Sequence, residues 1–258
     1  MPVVPDVLFL SAAIAVSPLT PKTKLLNENK RLSYTEKGLK KWISSVPSSV
    51  KIILVENTGY AEYFKSRYGN RIIVIDAPPP SAETVLNGKA ACFTETALFA
   101  LDNYPALFDS SAKIVFANAK NFIPNGNFLL IRLPSNAKNA FFFIGNLSYI
   151  DLSFFLMDIT LFRSYLLECK KIYSAYKYDR DFYDPNNFNG EKYMSIFLSS
   201  SKEVVSIFNH APIRNGVSGT WNQNVSFFSE KRFIYWASKT HFQIRKLINK
   251  QFHDTNYN

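Results

Sequence analysis

The sequence predicts an α/β protein with a mostly parallel sheet and helices on both faces. Two observations predict it. In the first half of the chain, short apolar runs alternate with longer amphipathic segments, which is the order of strand and helix in parallel sheets. The apolar runs are also continuous, which is typical of strands covered on both faces. With 47% hydrophobic residues in 258, the chain can bury a large core.

Residues 6–16 form the first apolar run and are predicted to be a strand, ended by the Pro-rich segment 17–21. A helix is predicted over 30–44, with Leu32, Leu39, Trp42 and Ile43 on its apolar face and Arg31, Lys37, Lys40 and Lys41 on the other face. In chain order the next predicted elements are a strand at 50–55, a helix at 61–68, a strand at 71–75, a helix at 89–108 and a strand at 113–117.

The second half is less regular. It is predicted to contain strands at 128–133 and 140–144, a helix at 158–170, a loop at 173–189, a helix at 191–199 and a basic helix at 229–252. No repeat or long linker divides the chain, so we expect one domain, with a nucleotide-binding half at 1–125, an acceptor-side half at 126–228 and the basic C-terminal helix at 229–258.

Composition narrows the functional classes. The formal net charge is +10, which predicts polyanionic partners such as phosphates, nucleic acid or an acidic membrane face. Cys92 and Cys169 are too few for a disulfide framework and indicate a reducing compartment. The first apolar run is too short to span a membrane and lacks the basic flank of a signal peptide, so a cytoplasmic protein is expected.

Several common catalytic motifs do not occur. The sequence contains neither a P-loop nor G-x-G-x-x-G nor G-x-S-x-G, which argues against P-loop enzymes, typical dinucleotide binders and ordinary α/β-hydrolases. The histidines, His210, His241 and His253, are scattered and have no cysteine at ligand spacing. A histidine-cysteine zinc site is therefore not expected.

Polar residues follow the predicted strands, where ligands of such sheets usually bind. Glu56 and Asn57 come after the second strand, Asp76 after the third, and residues 118–120 after the fourth. Glu56 and Asn57 could hold a ribose or a base edge. Equally, residues 56–59 could be an Asx-type turn in which Gly59 supplies a positive φ.

Lys89 and Glu95 flank the start of the predicted 89–108 helix. The carboxylate of Glu95 could take part in a catalysed reaction. The alternative is that Thr94 caps the helix and Glu95 lies in its first turn, where the helix dipole favours an acid.

Asp179 and Asp181 form an Asp-x-Asp pair that could hold Mn²⁺ or Mg²⁺ on a diphosphate. We favour the alternative, a solvated loop in which these acids pair with Lys177 and Arg180. The basic helix at 229–252 has an apolar face and could lie on an anionic membrane surface, or pack on the domain with its charges in water.

The order of these segments resembles that of bacterial glycosyltransferases with a GT-A-like nucleotide-sugar fold, found in capsule and lipopolysaccharide biosynthesis. The resemblance covers residues 7–220, and its most persuasive segment is Val55-Glu-Asn-Thr-Gly59. The other matching features are the strand 7–14, Arg31-Leu-Ser-Tyr34, Lys89 with Glu95, the segment 114–125, Asp158 before Phe162, and Val217-Ser-Gly-Thr220.

The resemblance implies that Glu56 and Asn57 hold the nucleotide and that Lys89 and Glu95 lie near the donor sugar or the reacting oxygen. It places the Asn118-Ala-Lys120 turn at the diphosphate. The family pattern there is Thr-Gly-Arg, so this chain keeps one positive charge and loses the bidentate fork of arginine. Ser195 stands where an acid is expected, and a donor-binding but inactive relative is the alternative.

A glycosyltransferase of this kind would move a sugar from a nucleotide-sugar donor to a glycan or lipid-linked acceptor. Lys120 and Lys89 are the candidates for offsetting the charge of the leaving diphosphate. Glu95 is the first candidate for general base and Asp158 the second. No carboxylate follows the fourth strand, so metal-independent catalysis is favoured. The alternative class is a non-enzymatic polyanion-binding protein, for which Tyr173, Tyr176 and Tyr178 could stack on bases.

Overall fold

The fold is described from a computed structural model of the chain. It describes residues 5–20, 23–108, 113–122, 139–141, 143–144, 149–150, 152, 154–175, 190–200, 205–207, 216–217 and 224–225. All statements below concern these residues.

The first half of the chain alternates strands and helices as the sequence predicts. Its elements are β1 (Val7–Ala12), α1 (Glu28–Ser45), β2 (Lys51–Glu56), α2 (Ala61–Tyr68), β3 (Ile72–Asp76), α3 (Ala82–Leu86), α4 (Lys89–Asn103), a 3-10 turn (Pro105–Leu107) and β4 (Lys113–Asn118). The later elements are β5 (Asn139–Phe141), β6 (Phe143–Ile144), β7 (Tyr149–Ile150), β8 (Phe154–Asp158), α5 (Ile159–Ala175), α6 (Gly190–Ser200), β9 (Val205–Ile207), β10 (Gly216–Val217) and β11 (Asn224–Val225).

The main sheet has seven strands in the order β3-β2-β1-β4-β8-β5-β9. Strands β3, β2, β1 and β4 are parallel neighbours. Strand β8 runs antiparallel to both β4 and β5, and β5 and β9 are parallel. The α/β prediction with a mostly parallel sheet is therefore confirmed.

Helices cover both faces of this sheet. Successive side chains of each strand point to opposite faces and so pack against different helices. On β1, Val7 and Phe9 pack with the buried side of α4 and α5, whereas Leu8 and Leu10 pack with α1 and α2. Trp42 of α1 stacks on Phe154 of β8 and so ties α1 to the far part of the sheet. Two cores hold the sheet between its helices.

Three local differences from the sequence predictions have physical causes. Strand β1 ends at Ala12, because the N–H groups of Ile14 and Ala15 donate to the side chain of Thr58 instead of to a neighbouring strand. The short helix α3 was not predicted, and it begins because Ser81 caps it. The apolar residues of β8 were not predicted to form a strand because the run is short and continues directly into α5.

Several predicted features lie outside the described residues. They are the strand at 128–133, the Asp179 and Asp181 pair, the tyrosines Tyr176 and Tyr178, and the basic helix at 229–252. Tyr173, the third tyrosine predicted to stack on bases, is only 3% exposed, so that prediction is wrong for it. In the part of the chain that is described, no helix is both long and apolar enough to cross a bilayer.

Candidate functional site: a cation cluster at the carboxyl edge of the sheet

The candidate site lies where the parallel strands end. Glu56 ends β2 and pairs with Ala12 of β1 on one side and Asp76 of β3 on the other. Asn118 ends β4 and pairs with Ser11 of β1. The sheet thus brings the polar residues that follow separate strands to one edge, which is where ligands of such sheets usually bind.

Glu56 is fully buried, and its carboxylate is turned into the protein. It accepts hydrogen bonds from the N–H of Thr58 at 3.0 Å, from the N–H of Tyr60 at 2.7 Å and from the hydroxyl of Thr58. Burial raises the pKa of Glu56, and the hydrogen bonds from Thr58 oppose that shift. Gly59 has a φ of +88°, so the expected turn with a positive φ at this glycine is present.

Asn57 is also buried, with 5% of its surface exposed. Its Nδ2 donates to Oγ1 of Thr96 on α4 at 2.7 Å, and that hydroxyl donates to the carbonyl of Cys92 at 2.8 Å. Because the single hydroxyl proton is used on Cys92, the Thr96 oxygen must accept from Asn57, which fixes the orientation of the amide. Oδ1 of Asn57 then has no hydrogen-bond partner among the described residues.

The turn after β4 presents Lys120. Oδ1 of Asn118 accepts from the N–H of Lys120 at 3.1 Å, and Ala119 donates to the carbonyl of Ser11 at 2.9 Å. Helix α1 packs directly on this turn at Gly38, where an added Cβ would lie 2.1 Å from the carbonyl oxygen of Ala119. The side chain of Asn118 therefore shapes the turn, and the absence of a side chain at Gly38 lets α1 approach it.

Lys120 is half-buried and lies near two other cations. Burial, together with the positive charges of Arg31 and Lys89, lowers the pKa of Lys120 to about 7. None of the ion pairs in the described part of the chain includes Lys120. Like charges gathered at a ligand edge favour an anionic ligand.

Arg31 is the site residue that sequence reasoning misplaced. It was predicted on the solvent face of its helix, but it is only 7% exposed and lies on the buried face with Thr35, Gly38, Leu39 and Trp42. Spacings of three, four and seven residues put these side chains on one face of α1, and that spacing is the signal that could have shown it.

Lys89 and Glu95 both belong to α4, but they face different neighbours. The helix begins at Lys89 with Gly88 as its N-cap, so the predictions of a Thr94 cap and a first-turn Glu95 are wrong. Glu95 lies in the second turn, about 9 Å along the axis from Lys89. Its carboxylate accepts hydrogen bonds from the hydroxyl of Thr84 and, at 3.3 Å, from the N–H of Ser81, and so it secures α3.

Asp158 lies at the opposite edge of the sheet. Because β8 is antiparallel to β4, Asp158 pairs with Lys113 at the start of β4, whereas Lys120 follows its end. The carboxylate accepts from the N–H of Thr160 at 2.9 Å and caps α5. The geometry does not bring Asp158 to the cation cluster.

A groove of about 840 Å³ lies between α5 and α6, lined in part by Leu167, Tyr193 and Phe197.

In the described ranges, no group of three or more His, Cys, Asp and Glu side chains is placed to hold a metal ion.

Comparisons with known proteins give no sequence match: no family model and no curated protein matches the chain. Solved structures match at low similarity. The glycosyltransferase GlyE of Streptococcus pneumoniae TIGR4 matches with a TM-score of 0.47 and 11% identity, over 80% of this chain and 45% of GlyE. The galactosyltransferase LgtC, in complex with donor and acceptor sugar analogues, matches with a TM-score of 0.45 and 8% identity, over 78% of this chain and 72% of LgtC.

A nucleotidyltransferase is similar to the same degree. The inositol-1-phosphate CTP transferase of T. maritima matches with a TM-score of 0.45 and 13% identity, over 92% of this chain and 97% of that one. This chain thus spans less than half of GlyE and nearly all of the CTP transferase. These TM-scores lie below 0.5, so none of these structures assigns a reaction to this chain.

Proposed function

We propose that the protein is a glycosyltransferase that uses a nucleotide-sugar donor. The observation that carries this proposal is the convergence of Lys120, Arg31 and Lys89 at the carboxyl edge of a parallel sheet. Three neighbouring cations suit an anion whose charge is spread over two groups, as it is in a diphosphate. The resemblance of the sequence to glycosyltransferases supports a sugar as the group that it carries.

The cations would act on the leaving group. When the bond between the sugar and the phosphate breaks, negative charge gathers on the diphosphate, and fixed positive charges stabilise it most at that moment. Lys120 and Lys89 would supply this stabilisation directly. On this account transfer does not require a divalent metal, and donor binding persists in EDTA.

The turn after β2 would hold the nucleotide. Oδ1 of Asn57 is a buried acceptor whose orientation is fixed by Thr96, so it suits a ribose hydroxyl or a base N–H. Glu56 would act through the turn that it organises, because its own oxygens already accept hydrogen bonds from Thr58 and Tyr60.

Glu95 remains the candidate general base. It belongs to the helix whose first residue, Lys89, is in the cation cluster, whereas Asp158 caps a helix at the other edge. Its hydrogen bonds to Thr84 and Ser81 would hold the carboxylate in place. The acceptor in this proposal is a glycan or a lipid-linked glycan of a surface polysaccharide.

A thermal-shift screen tests the proposal. The chain is heated in EDTA with UDP, GDP, CMP and their sugar conjugates, and then again with Mn²⁺. A ligand at a hundred times its Kd stabilises the folded state by about 2.7 kcal/mol, which is readily detected. We expect one nucleotide and its sugar conjugate to stabilise the chain in EDTA. Stabilisation that needs Mn²⁺ would contradict metal independence and move attention to Asp179 and Asp181.

The screen is followed by a transfer assay with the stabilising sugar nucleotide, in which release of the free nucleotide is measured. Donor binding without release in the presence of varied glycan acceptors would support the inactive relative, in which Ser195 replaces a needed acid.

A polyanion-binding protein is the second candidate, because the same cluster and the net charge of +10 suit a phosphate polymer. A salt titration of binding to a single-stranded oligonucleotide distinguishes the two. Submicromolar affinity with a steep salt dependence would favour this candidate, whereas stabilisation by a mononucleotide alone favours the transferase.

A further inference from the structure

Arg31 connects the two ends of the segment between β1 and α1. Its Nε and Nη2 donate to the carbonyl of Ala13 at 2.8 and 2.6 Å, and its Nη1 donates to the carbonyl of Leu25 at 3.1 Å. Ala13 directly follows β1, and Leu25 stands just before Asn27, the N-cap of α1. One side chain thus closes the segment into a loop beside the cation cluster.

The guanidinium of Arg31 carries a charge that no described carboxylate offsets. Its partners are main-chain carbonyls, although the side chain is only 7% exposed. A buried charge without a counterion is costly. Burial lowers the pKa of Arg31 to about 10, so the group is still charged at neutral pH. These hydrogen bonds use three of the five N–H groups of the guanidinium.

The same face of α1 carries Arg31 and the contact with the Lys120 turn. Gly38, seven residues after Arg31, packs against the carbonyl of Ala119. Helix α1 therefore links the loop after β1 to the turn after β4, and the positive charge of Arg31 acts on Lys120.

We infer that Arg31 is a positioning residue of the anion site, which fixes the loop between β1 and α1 and adds a buried positive charge for a diphosphate held by Lys120. This inference rests on the proposed function, since it assumes that a diphosphate binds at the cluster. It extends that function by making the chain around Ala13 and Leu25 part of the anion site, so that a bound diphosphate stabilises the hydrogen bonds that Arg31 makes there.

The competing explanation is that Arg31 only clasps main-chain carbonyls. Arg71 provides a matched control for this explanation. It donates to the carbonyls of Val46, Pro47 and Val50, at the edge of the sheet where β2 and β3 begin. Arg71→Gln therefore removes a similar clasp far from the cation cluster.

The test uses isothermal titration of the full chain with inorganic pyrophosphate. Arg31→Gln is expected to weaken binding at least about tenfold, the effect of losing a charge-assisted contact. Arg31→Lys keeps the positive charge beside the ligand and is expected to lose less than about threefold. Arg71→Gln is expected to bind as the wild type does.

The pH dependence of pyrophosphate affinity is a second measurement. It would not change if Arg31 only donated hydrogen bonds to main-chain carbonyls. Among the described residues, Arg31 on α1 and Lys89 on α4 are the charged groups that act on Lys120. Removing the charge of Arg31 relieves repulsion, so the pH at which pyrophosphate affinity falls should move upward in Arg31→Gln relative to the wild type. An unchanged profile would overturn the inference.

Hydrogen exchange on the wild type tests the inference even if the Arg31→Gln variant does not fold. Pyrophosphate is expected to slow exchange of amides in residues 13–20 and 23–25, and no change there would overturn the inference. The two proposals fail differently. If the wild type binds no pyrophosphate, the proposed function fails as well. If Lys120→Gln loses binding but Arg31→Gln does not, only the role of Arg31 is wrong.

Discussion

The carboxylate of Glu56 accepts hydrogen bonds from both the N–H and the hydroxyl of Thr58. The oxygen of that hydroxyl in turn accepts from the N–H of Ile14 at 2.9 Å and of Ala15 at 3.2 Å. This relay joins the turn after β2 to the segment after β1, so two neighbouring walls of the candidate site are held by one buried acid. These hydrogen bonds of Glu56 and Thr58 shape the edge of the sheet at which the cations lie.

Thr58→Val is expected to lower the free energy of unfolding by about 1–3 kcal/mol, because it removes the hydroxyl that donates to the buried Glu56 carboxylate and leaves the N–H groups of Ile14 and Ala15 without this acceptor. Urea denaturation measures the loss. Thr58→Ser keeps the hydroxyl and serves as the control. Equal stability of the valine and serine variants would show that the relay contributes nothing.

Gly38→Ala is expected to destabilise the protein and weaken nucleotide binding together. In an exposed helix this change is favourable by about 1 kcal/mol. Here the new Cβ would lie 2.1 Å from the carbonyl oxygen of Ala119, and backbone cannot move aside as a flexible side chain can. Lys37→Ala, at the exposed neighbouring position, is the control. A Gly38→Ala protein as stable as the control would contradict the close contact.

Lys120 predicts a pH dependence of stability. Its pKa is about 7 in the folded chain and about 10.4 in an unfolded one. Between these values the unfolded state binds the proton and the folded state does not, so the contribution of Lys120 makes stability rise with pH. Below pH 7 the buried charge carries its full cost.

Replacing Lys120 with Met removes that cost. Lys120→Met should therefore stabilise the chain by at least about 1 kcal/mol at pH 6, and the gain should shrink toward pH 10. Denaturation of both proteins at each pH measures the difference, in which all other titrating groups cancel. A gain that is constant across this range would contradict the position of Lys120 beside Arg31 and Lys89.

The order of elements in the first half of the chain could be predicted because each strand there is a continuous apolar run and each helix has an apolar face. The polar ends of those strands followed from the same pattern, which correctly placed Glu56, Asp76 and Asn118 at one edge. The sequence pattern did not show which way the side chain of Arg31 points. The burial of Arg31 depends on Ala13 and Leu25, which are distant in sequence from the guanidinium that they bind.

The second half was harder to predict for a topological reason. Strand β8 is antiparallel and joins the sheet beside β4, so Asp158 lies at the opposite edge from Lys120. A sequence pattern shows that a carboxylate follows an apolar run, but it does not show the direction of that run. The start of α4 at residue 89 was predicted correctly, but the alternative in which Thr94 caps this helix was wrong, because Gly88 is the N-cap.

Glu95→Gln is expected to lower the rate of sugar transfer at least about a hundredfold while donor affinity changes little, since loss of a general base commonly costs that much. The amide keeps a hydrogen-bond acceptor for Thr84. Thr84→Val is the control, because it removes the hydrogen bond and keeps the carboxylate. Retained turnover in Glu95→Gln would remove this residue from the role of base.

The most direct measurement is the affinity of the stabilising nucleotide for the wild type and for Lys120→Gln, titrated at pH 6, about one unit below the pKa of Lys120. Lys41→Gln is the control, since Lys41 lies over the ring of Phe122 and is exposed. The account predicts that Kd rises at least about tenfold in Lys120→Gln and stays unchanged in the control. Equal affinity in Lys120→Gln and the wild type would contradict the claim that this edge of the sheet binds the phosphates of a nucleotide sugar.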